Sequence, residues 1–267
     1  MLQADYRIDK RQIANSFAEA ASRYDTYAVL QREVADSLLT QLQRDETVTQ
    51  VLDLGSGTGY CTGKLQKLFP NAQIVSLDIA AGMLEYARQQ HLQNTCNKSF
   101  VCGDAESLPF VTGSFDLVFS SLAIQWCQNF PALFAELKRS LKPGGSLAIA
   151  TFGPGTLQEL EQAWLQIDDT IHVNHFHSDR TLQESLNINA FQQIKLNSET
   201  RIRYYPGLAS LKQELKSIGA RNMNAGRLRG LSGRKKIQKL KELFEKNTEV
   251  PAGIPVTWQL QFVQARS

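Results

Sequence analysis

Apolar residues recur at helical spacing in the first part of the chain, where Phe17, Leu30 and Leu38 share one face of a segment covering residues 8–44. From residue 51 to about residue 152 the pattern changes to short β-rich runs, which are VLDLG, IVSLD, SFVCGD, FDLVFSSLA and SLAIATF. Helix-like segments separate these runs, namely CTGKLQKLF, GMLEYARQQ and FPALFAELKRSL. Strands spaced by helices indicate βαβ units and a parallel sheet.

The remaining third of the chain adds further elements to this pattern. We expect helices over residues 156–167, 181–186, 208–218 and 227–245, a loop over 172–179, and strands over 194–205 and 257–265. A turn at Pro143-Gly144-Gly145 is predicted to end one helix and begin the next strand.

These elements predict a single α/β domain over residues 1–267, with a Rossmann-like, doubly wound, mostly parallel seven-stranded sheet. Within it we expect a helical cap at residues 8–44, a core at 45–152, and substrate-side helices with the final strands at 153–267.

Composition is that of an ordinary globular protein, with 42% hydrophobic and 21% charged residues in 267, which argues against disorder and coiled coil. The four cysteines are scattered without metal or disulfide spacing, and the first residues lack the apolar core of a secretory signal. No stretch approaches the roughly 18 apolar residues of a membrane span. We therefore expect a cytoplasmic protein.

The formal net charge of +3 hides a strong asymmetry. Residues 201–247 carry 13 lysines and arginines against three glutamates, so the remainder of the chain is net negative. Opposed blocks of charge suggest a localised anionic partner. The small net charge argues against nucleic acid, and so does the near absence of aromatic residues among the cations of residues 227–246.

The strongest local signal is VLDLGSGTGY, in which a strand ends and Gly55, Gly57 and Gly59 form a loop around Ser56 before a helix. Glycines here permit positive φ and let the backbone lie against a ligand. Asp53 precedes the loop and is able to accept hydrogen bonds from loop amides or from a ligand ammonium group.

Two more acids follow the next strands. Asp78 ends the second strand, where a carboxylate binds a ribose diol, and Asp104 follows the third, where an acid receives an adenine amino proton. A dinucleotide loop usually reads G-x-G-x-x-G and cradles a pyrophosphate, which the Asp53 carboxylate would repel. S-adenosylmethionine (SAM) has an ammonium, a ribose and an adenine but no phosphate, so the three acids favour SAM over NAD. A phosphate-binding loop, or one without a ligand, is the alternative.

Residues 45–152 resemble the class I SAM-dependent methyltransferases in the motifs VLDLGSGTG, VSLD, GDAESLPF, SFDLVFSSLAIQW and LKPGGSLAIATF. The resemblance implies that Asp53 and residues 55–59 hold the methionyl end of SAM and that Asp78, with Ile79 beside it, holds the ribose. It assigns the adenine to Asp104 and Ala105, places Met83 on the adenosine, and makes Ser120, Ser121 and Leu122 line the methyl-transfer pocket. Met83 is equally suited to the apolar core.

The fourth strand ends in SSLAIQWC, without the proline-rich motif of many amine and amide methyltransferases. SSLAIQWC, TFGPGTLQELEQAW, NHF, LKSIGA and the first helix together resemble the malonyl-acyl-carrier-protein O-methyltransferases of biotin synthesis, the BioC family. The resemblance implies methylation of the free carboxylate of malonyl-acyl carrier protein. Gln125 and Trp126 then belong to the acceptor pocket, although Trp126 also suits the core.

A carboxylate acceptor is ionised near neutral pH and needs no general base. The enzyme must hold one oxygen about 3 Å from the methyl group and bind the other with a cation or a hydrogen-bond donor. Arg201 and Arg203 share a face of a predicted strand and are the first candidates, with Lys216 next, unless each is a solvated surface charge. Tyr24 is expected either to offer its phenol to the substrate or to pack its helix on the sheet.

His172, His175 and His177 form H-x-x-H-x-H, but no partner residue completes a recognised ligand spacing, so we expect no metal.

The basic segment 221–246 is interpreted as a docking face for acyl carrier protein or as a solvated helix face. Two other functions stay open. One is a methyltransferase for a small molecule, such as a quinone-ring carbon or a free carboxylic acid, and the other is a SAM-binding protein without turnover.

Overall fold

The computed structural model describes residues 9–90, 97–220, 234–246 and 253–267. Its helices are α1 (Lys10–Tyr27), α2 (Val29–Leu39), α3 (Tyr60–Leu68), α4 (Ala81–Gln90), α5 (Phe130–Ser140), α6 (Gln158–Leu165), α7 (Asp179–Ile188), α8 (Leu208–Ser217) and α9 (Arg234–Glu245). Its strands are β1 (Gln50–Leu54), β2 (Gln73–Asp78), β3 (Lys98–Cys102), β4 (Phe115–Ser121), β5 (Leu141–Phe152), β6 (Gln192–Tyr205) and β7 (Ile254–Arg266).

The strands form one seven-stranded sheet in the order β3-β2-β1-β4-β5-β7-β6. The first five pair in parallel, whereas β7 lies antiparallel between β5 and β6. The α/β fold class predicted from the sequence is therefore confirmed. The strand order reverses between β1 and β4, and ligands of such sheets bind beyond the carboxyl ends of the strands at this point.

Helices cover both faces of the sheet, so the central strands are buried on both sides. Along β1, Val51 belongs to a core cluster that includes residues of α2, α3 and α8, and Leu52 and Leu54 belong to another that includes residues of α5 and α7. Burial on two faces explains why β1 is an almost continuous apolar run with one acid, Asp53, which is 2% exposed.

The first helical segment divides into two helices. Asp9 caps α1 by accepting hydrogen bonds from the backbone N–H groups of Arg11 and Gln12 at 3.0 and 3.1 Å. The helix ends at Ala28, whose ψ of 44° lies outside the helical region, and α2 begins at the next residue. Neither glycine nor proline marks this break, so the apolar spacing alone predicted a continuous pattern.

The turn at residues 143–145 lies within β5 and does not precede it. Leu141 already pairs with Phe115, and the next pair joins Ser146 to Leu117, so the intervening residues loop out of the ladder. Gly144 has a φ of +76°, which a residue with a side chain rarely adopts. The predicted turn is present, but the prediction that β5 begins after it is wrong.

The basic helix begins at Arg234 in the described part of the chain, and residues 221–233 of the predicted basic segment lie outside the described residues. Leu240 and Phe244 are buried against the core, and lysines occupy the exposed side of α9. No helix among the described residues is long and apolar enough to cross a membrane.

Gly55 and Gly57 provide a matched test of the loop after β1. Both have positive φ, +71° and +54°, but a Cβ on Gly55 would lie 2.1 Å from Ala123 Cβ, whereas one on Gly57 would meet nothing within 4 Å. We expect Gly57→Ala to lower the free energy of unfolding by about 1 kcal/mol through backbone strain alone. Gly55→Ala should cost about 2–4 kcal/mol, because overpacking is added to the strain.

Urea denaturation of the two variants and the unaltered protein measures this difference. Equal losses of stability in both variants would contradict the close approach of Gly55 to Ala123.

Candidate functional site

A cavity with about 780 Å³ of space lies beyond the carboxyl ends of β1, β2 and β4, and α1 forms its roof. We call it the first cavity. It lies at the reversal of strand order, where the sheet topology predicts a site. Its walls contain Lys10, Ile13, Phe17, Tyr24, Leu54, Gly55, Gly57, Leu77, Asp78, Ile79, Met83, Gly103, Asp104, Ala105, Ser121, Leu122, Ala123, Ile124, Trp126 and Cys127.

Asp78 is fixed at the end of β2 by the loop that it faces. Its carboxylate oxygens accept hydrogen bonds from the backbone N–H groups of Gly57 at 2.9 Å and Ala80 at 2.8 Å. Burial raises the pKa of Asp78, and the backbone hydrogen bonds partly oppose this effect. The carboxylate is therefore held in position in a cavity wall, as a ribose-binding acid requires.

Asp53 lies in a smaller space of about 460 Å³, the third cavity, which also contains Ser56, Gly57 and Arg32. Burial raises its pKa to about 7, although a hydrogen bond from Thr62 at 2.7 Å lowers it in part. A ligand ammonium group beside Asp53 would favour the ionised form. The acid before the glycine loop is thus buried in a cavity wall, and its binding of a ligand ammonium group stays a prediction.

Asp104 has a partner that the sequence did not reveal. Lys10, at the start of α1, forms ion pairs with both Asp104 and Glu106, and it also lines the first cavity. These pairs connect the roof helix to the end of β3. A further connection joins Thr58 to Asp25 of α1 at 2.7 Å.

The remaining loop residues divide into those that face a cavity and those that shape the turn. Gly59 begins α3 with a φ of +84° and is not among the lining residues of the cavities described here. The buried hydroxyls of Ser56 and Ser121 line these cavities and have no hydrogen-bond partner among the described residues. Ser120 is fully buried and donates to the carbonyl of Leu54 at 2.9 Å, so it supports the sheet and does not line the pocket.

A second cavity, of about 710 Å³, adjoins the first and is mainly apolar. Its walls contain Phe17, Tyr24, Gln31, Leu122, Gln125, Trp126, Phe152, Leu157, Leu160, His172, Val173, Asn174, Phe176, Leu215, Ile218, Ala220 and Trp258. Gln125 is held by a hydrogen bond from its Nε2 to the Leu122 carbonyl at 2.6 Å. Trp126 lines the first cavity as well, with its ring 5.6 Å from that of Phe17.

Tyr24 lines all three cavities and therefore marks the place where they meet. Burial raises the pKa of its phenol, and the carboxylates of Asp78 and Asp25 raise it further. The hydroxyl stays protonated at neutral pH and is available as a neutral hydrogen-bond donor.

The three cations expected to grip a substrate carboxylate do not line the described cavities. Arg201 pairs with Glu199 and donates to Ser37 at 2.8 Å, and Lys216 is exposed on α8. Arg203 shares the face of Arg201, as predicted, but it lies near Glu214, whose pKa burial raises and Arg203 partly lowers. Sequence spacing placed the arginines on one face correctly, but that face packs on other helices.

The histidines do not converge. Among the described residues no group of three or more His, Cys, Asp or Glu side chains is placed to hold a metal. His172 stacks on Trp164, with the ring centroids 3.5 Å apart, and its Nε2 lies 2.7 Å from Asp168 Oδ1. His177 packs on Phe130, and burial lowers its pKa.

Sequence reasoning missed many of the lining residues, and those on the two N-terminal helices include Lys10, Ile13, Phe17, Gln31 and Arg32. Met83 is buried and also lines the first cavity, so both of its predicted roles are compatible with its position. Helical periodicity shows that a helix is amphipathic but gives no information about which ligand its buried face covers.

Residues 51–145 match the family model described as "Methyltransferase domain". The chain is 39% identical to the malonyl-[acyl-carrier protein] O-methyltransferase of Methylococcus capsulatus, over 94% of this chain and 92% of that protein. It is 43% identical to the biotin biosynthesis bifunctional protein BioHC of Cellvibrio japonicus, over 96% of this chain. The chain spans about half the length of that bifunctional protein, 50%.

Among solved structures, the phosphoethanolamine N-methyltransferase 2 of Haemonchus contortus in complex with S-adenosyl-L-methionine has the same fold. The TM-score is 0.61 at 19% identity, over 94% of this chain and 57% of that one. Such distant similarity supports the fold alone. The near full-length match to the Methylococcus protein decides the family: this chain belongs to the malonyl-[acyl-carrier protein] O-methyltransferases.

Proposed function

We propose that the protein transfers a methyl group from SAM to the free carboxylate of malonyl-acyl carrier protein in biotin synthesis. The observation that carries the proposal is that cavities of two chemical kinds meet at Tyr24. The first and third cavities have acids and a glycine loop, whereas the second is mainly apolar and leads away from them. Family membership selects the acceptor from among the possible carboxylic acids.

The donor side suits SAM residue by residue. Asp78 would hold the ribose, Asp104 and Ala105 the adenine, and Met83 and Ile79 would pack on the adenosine, and all five residues line the first cavity. Asp53 and the unpartnered hydroxyl of Ser56 lie in the third cavity, where the amino-acid end fits, and Arg32 there offers a cation to its carboxylate. When bound, SAM supplies an electrophilic methyl group on a sulfonium ion.

The acceptor side needs no proton transfer, because a malonyl carboxylate is ionised at neutral pH. The chain's task is to align one oxygen with the methyl group and to exclude water. Leu122 and Trp126 line both the first and second cavities, so they shape the passage between donor and acceptor. The apolar walls beyond them accommodate the acyl thioester and its arm.

We propose that the acyl carrier protein docks on the basic segment 221–246, of which α9 is described. Lys235, Lys239 and Lys241 are exposed along this helix. Lys236 binds Asp168 at 2.8 Å, and Asp168 also binds His172 of the second cavity at 2.7 Å. A carrier protein on α9 would therefore lie beside the acceptor cavity.

Asp168 is held firmly as an anion between the helix and the cavity. Burial alone would raise its pKa, but hydrogen bonds from Lys236, Thr170 and His172 outweigh that effect and hold the pKa well below its ordinary value. Because Lys236 is already paired with Asp168, an acidic partner is attracted mainly by the other exposed lysines of α9. The free cysteines Cys61, Cys102 and Cys127 of the described chain support our placing the reaction in the cytoplasm.

The reaction itself is the first test. Purified protein with methyl-labelled SAM should transfer label to malonyl-acyl carrier protein and not to acetyl-acyl carrier protein, which lacks the free carboxylate. Malonyl-CoA and free malonate should be poorer acceptors, because they lack the docking protein. Label found only on small acids would contradict the carrier-protein proposal, and absence of transfer to any acceptor would favour a SAM-binding protein without turnover.

Docking is tested by reversing two charges on α9. Lys235 and Lys239 are exposed and one helical turn apart, so Lys235→Glu with Lys239→Glu should raise the KM for malonyl-acyl carrier protein about tenfold at low salt. Turnover of malonyl-CoA should stay unchanged, because that acceptor does not use the face.

The matched control reverses two exposed lysines elsewhere, Lys67→Glu with Lys195→Glu, and changes the net charge equally. If both double variants alter the KM to the same extent, the effect belongs to total charge and the proposed docking face is wrong.

A further inference from the structure

The second and third cavities share two lining side chains, Tyr24 and Gln31. Gln31 lies in the first turn of α2, at the break between the two roof helices. Its Oε1 atom is buried and has no hydrogen-bond partner among the described residues. A buried amide oxygen without a donor costs free energy. A half-turn about the terminal torsion of the side chain exchanges this oxygen with the NH₂ group, so the amide is able to direct its donors at a ligand such as a carboxylate, which only accepts hydrogen bonds.

The side chains around this junction determine which charged and neutral groups a bound ligand would contact. Among the residues that the structure describes, the lining of the second cavity contains no lysine or arginine. Its side of the junction presents the neutral phenol of Tyr24 and the neutral amide of Gln31. Arg32 lies on the other side, in the third cavity, where its Nη1 donates to the backbone carbonyl of Asp25.

The neutral donors of Tyr24 and Gln31 suit the proposed methyl transfer better than a cation would. In the transfer, one carboxylate oxygen forms a bond to the methyl carbon while the carbon–sulfur bond breaks and its electron pair goes to sulfur. An anion and a sulfonium cation become a neutral ester and a neutral thioether, and no proton moves. A lysine or arginine on the carboxylate would stabilise the charge that must disappear, whereas a neutral donor orients the oxygen with less stabilisation of the reactant.

We propose that Gln31, together with Tyr24, binds the non-reacting oxygen of the acceptor carboxylate and is a catalytic residue of the transfer. The Gln31 side-chain NH₂ and the Tyr24 hydroxyl are the donors, in the place where a cation was expected from the sequence. The assignment rests on the proposed function. The assignment adds one residue to that function and is separable from it, because the same cavities would also hold SAM and the malonyl group without a contact to Gln31.

The test replaces Gln31 by Met, which keeps the length of the side chain but removes its donors, and by Glu, which keeps the shape but adds a negative charge. Gln31→Met should lower kcat/KM for malonyl-acyl carrier protein about ten- to a hundredfold, the range for loss of a hydrogen bond to a charged group. Gln31→Glu should lower it further, because it repels the substrate carboxylate. The dissociation constant of S-adenosylhomocysteine should stay within about twofold in Gln31→Met.

Gln162→Met, on the exposed side of α6, is the matched control and should keep the activity of the unaltered protein. Full activity in both Gln31 variants would overturn the proposal. So would an equal loss of S-adenosylhomocysteine binding, because Gln31 would then serve the donor. The unaltered protein is assayed in parallel. Its failure to methylate malonyl-acyl carrier protein removes the proposed function and this role with it, whereas an active unaltered protein with equally active Gln31 variants removes the role alone.

Discussion

The packing of α1 and α2 over the carboxyl ends of the strands is the constraint on which the site depends. Without this roof, the glycine loop and the strand-end acids would lie in an open groove. Lys10 fixes one end of α1 to Asp104 and Glu106, and Asp25 fixes the other end to Thr58. Between them, Gly82 of α4 lies so close to Ala18 that an added Cβ would be 2.8 Å from the Ala18 side chain. The break at Ala28 then turns Gln31 toward the same space as Tyr24.

The sequence predicted the sheet well, and it named acids and glycines that line the first and third cavities, because both depend on local rules. Apolar runs of strand length, the glycines after β1 and the acids after β1, β2 and β3 all follow from how a parallel sheet ends. The acceptor side depends on packing between distant elements, which spacing does not encode. Arg201 and Arg203 share a face as predicted, yet that face meets Ser37 and Glu214, so a chemically reasonable carboxylate clamp lies in another environment.

Our proposals divide charge between binding and chemistry in a way that the net value of +3 conceals. The exposed lysines of α9 form a long-range field that suits an acidic partner, and Lys236 meets Asp168 at the edge of the acceptor cavity. The junction itself presents a neutral amide and a neutral phenol toward the acceptor. As proposed, this separation would let the protein attract an anionic substrate without stabilising, at the carboxylate, the charge that methyl transfer removes.

The central claim is that the donor occupies the first and third cavities and the acceptor enters through the second, with Tyr24 where they meet. A crystal structure with S-adenosylhomocysteine tests it most directly. The account predicts adenine beside Asp104 and Ala105, the amino-acid end beside Asp53 and Ser56, and the sulfur facing Tyr24 and Gln31. A homocysteine chain extending into the second cavity, or a sulfur remote from Tyr24, would contradict it.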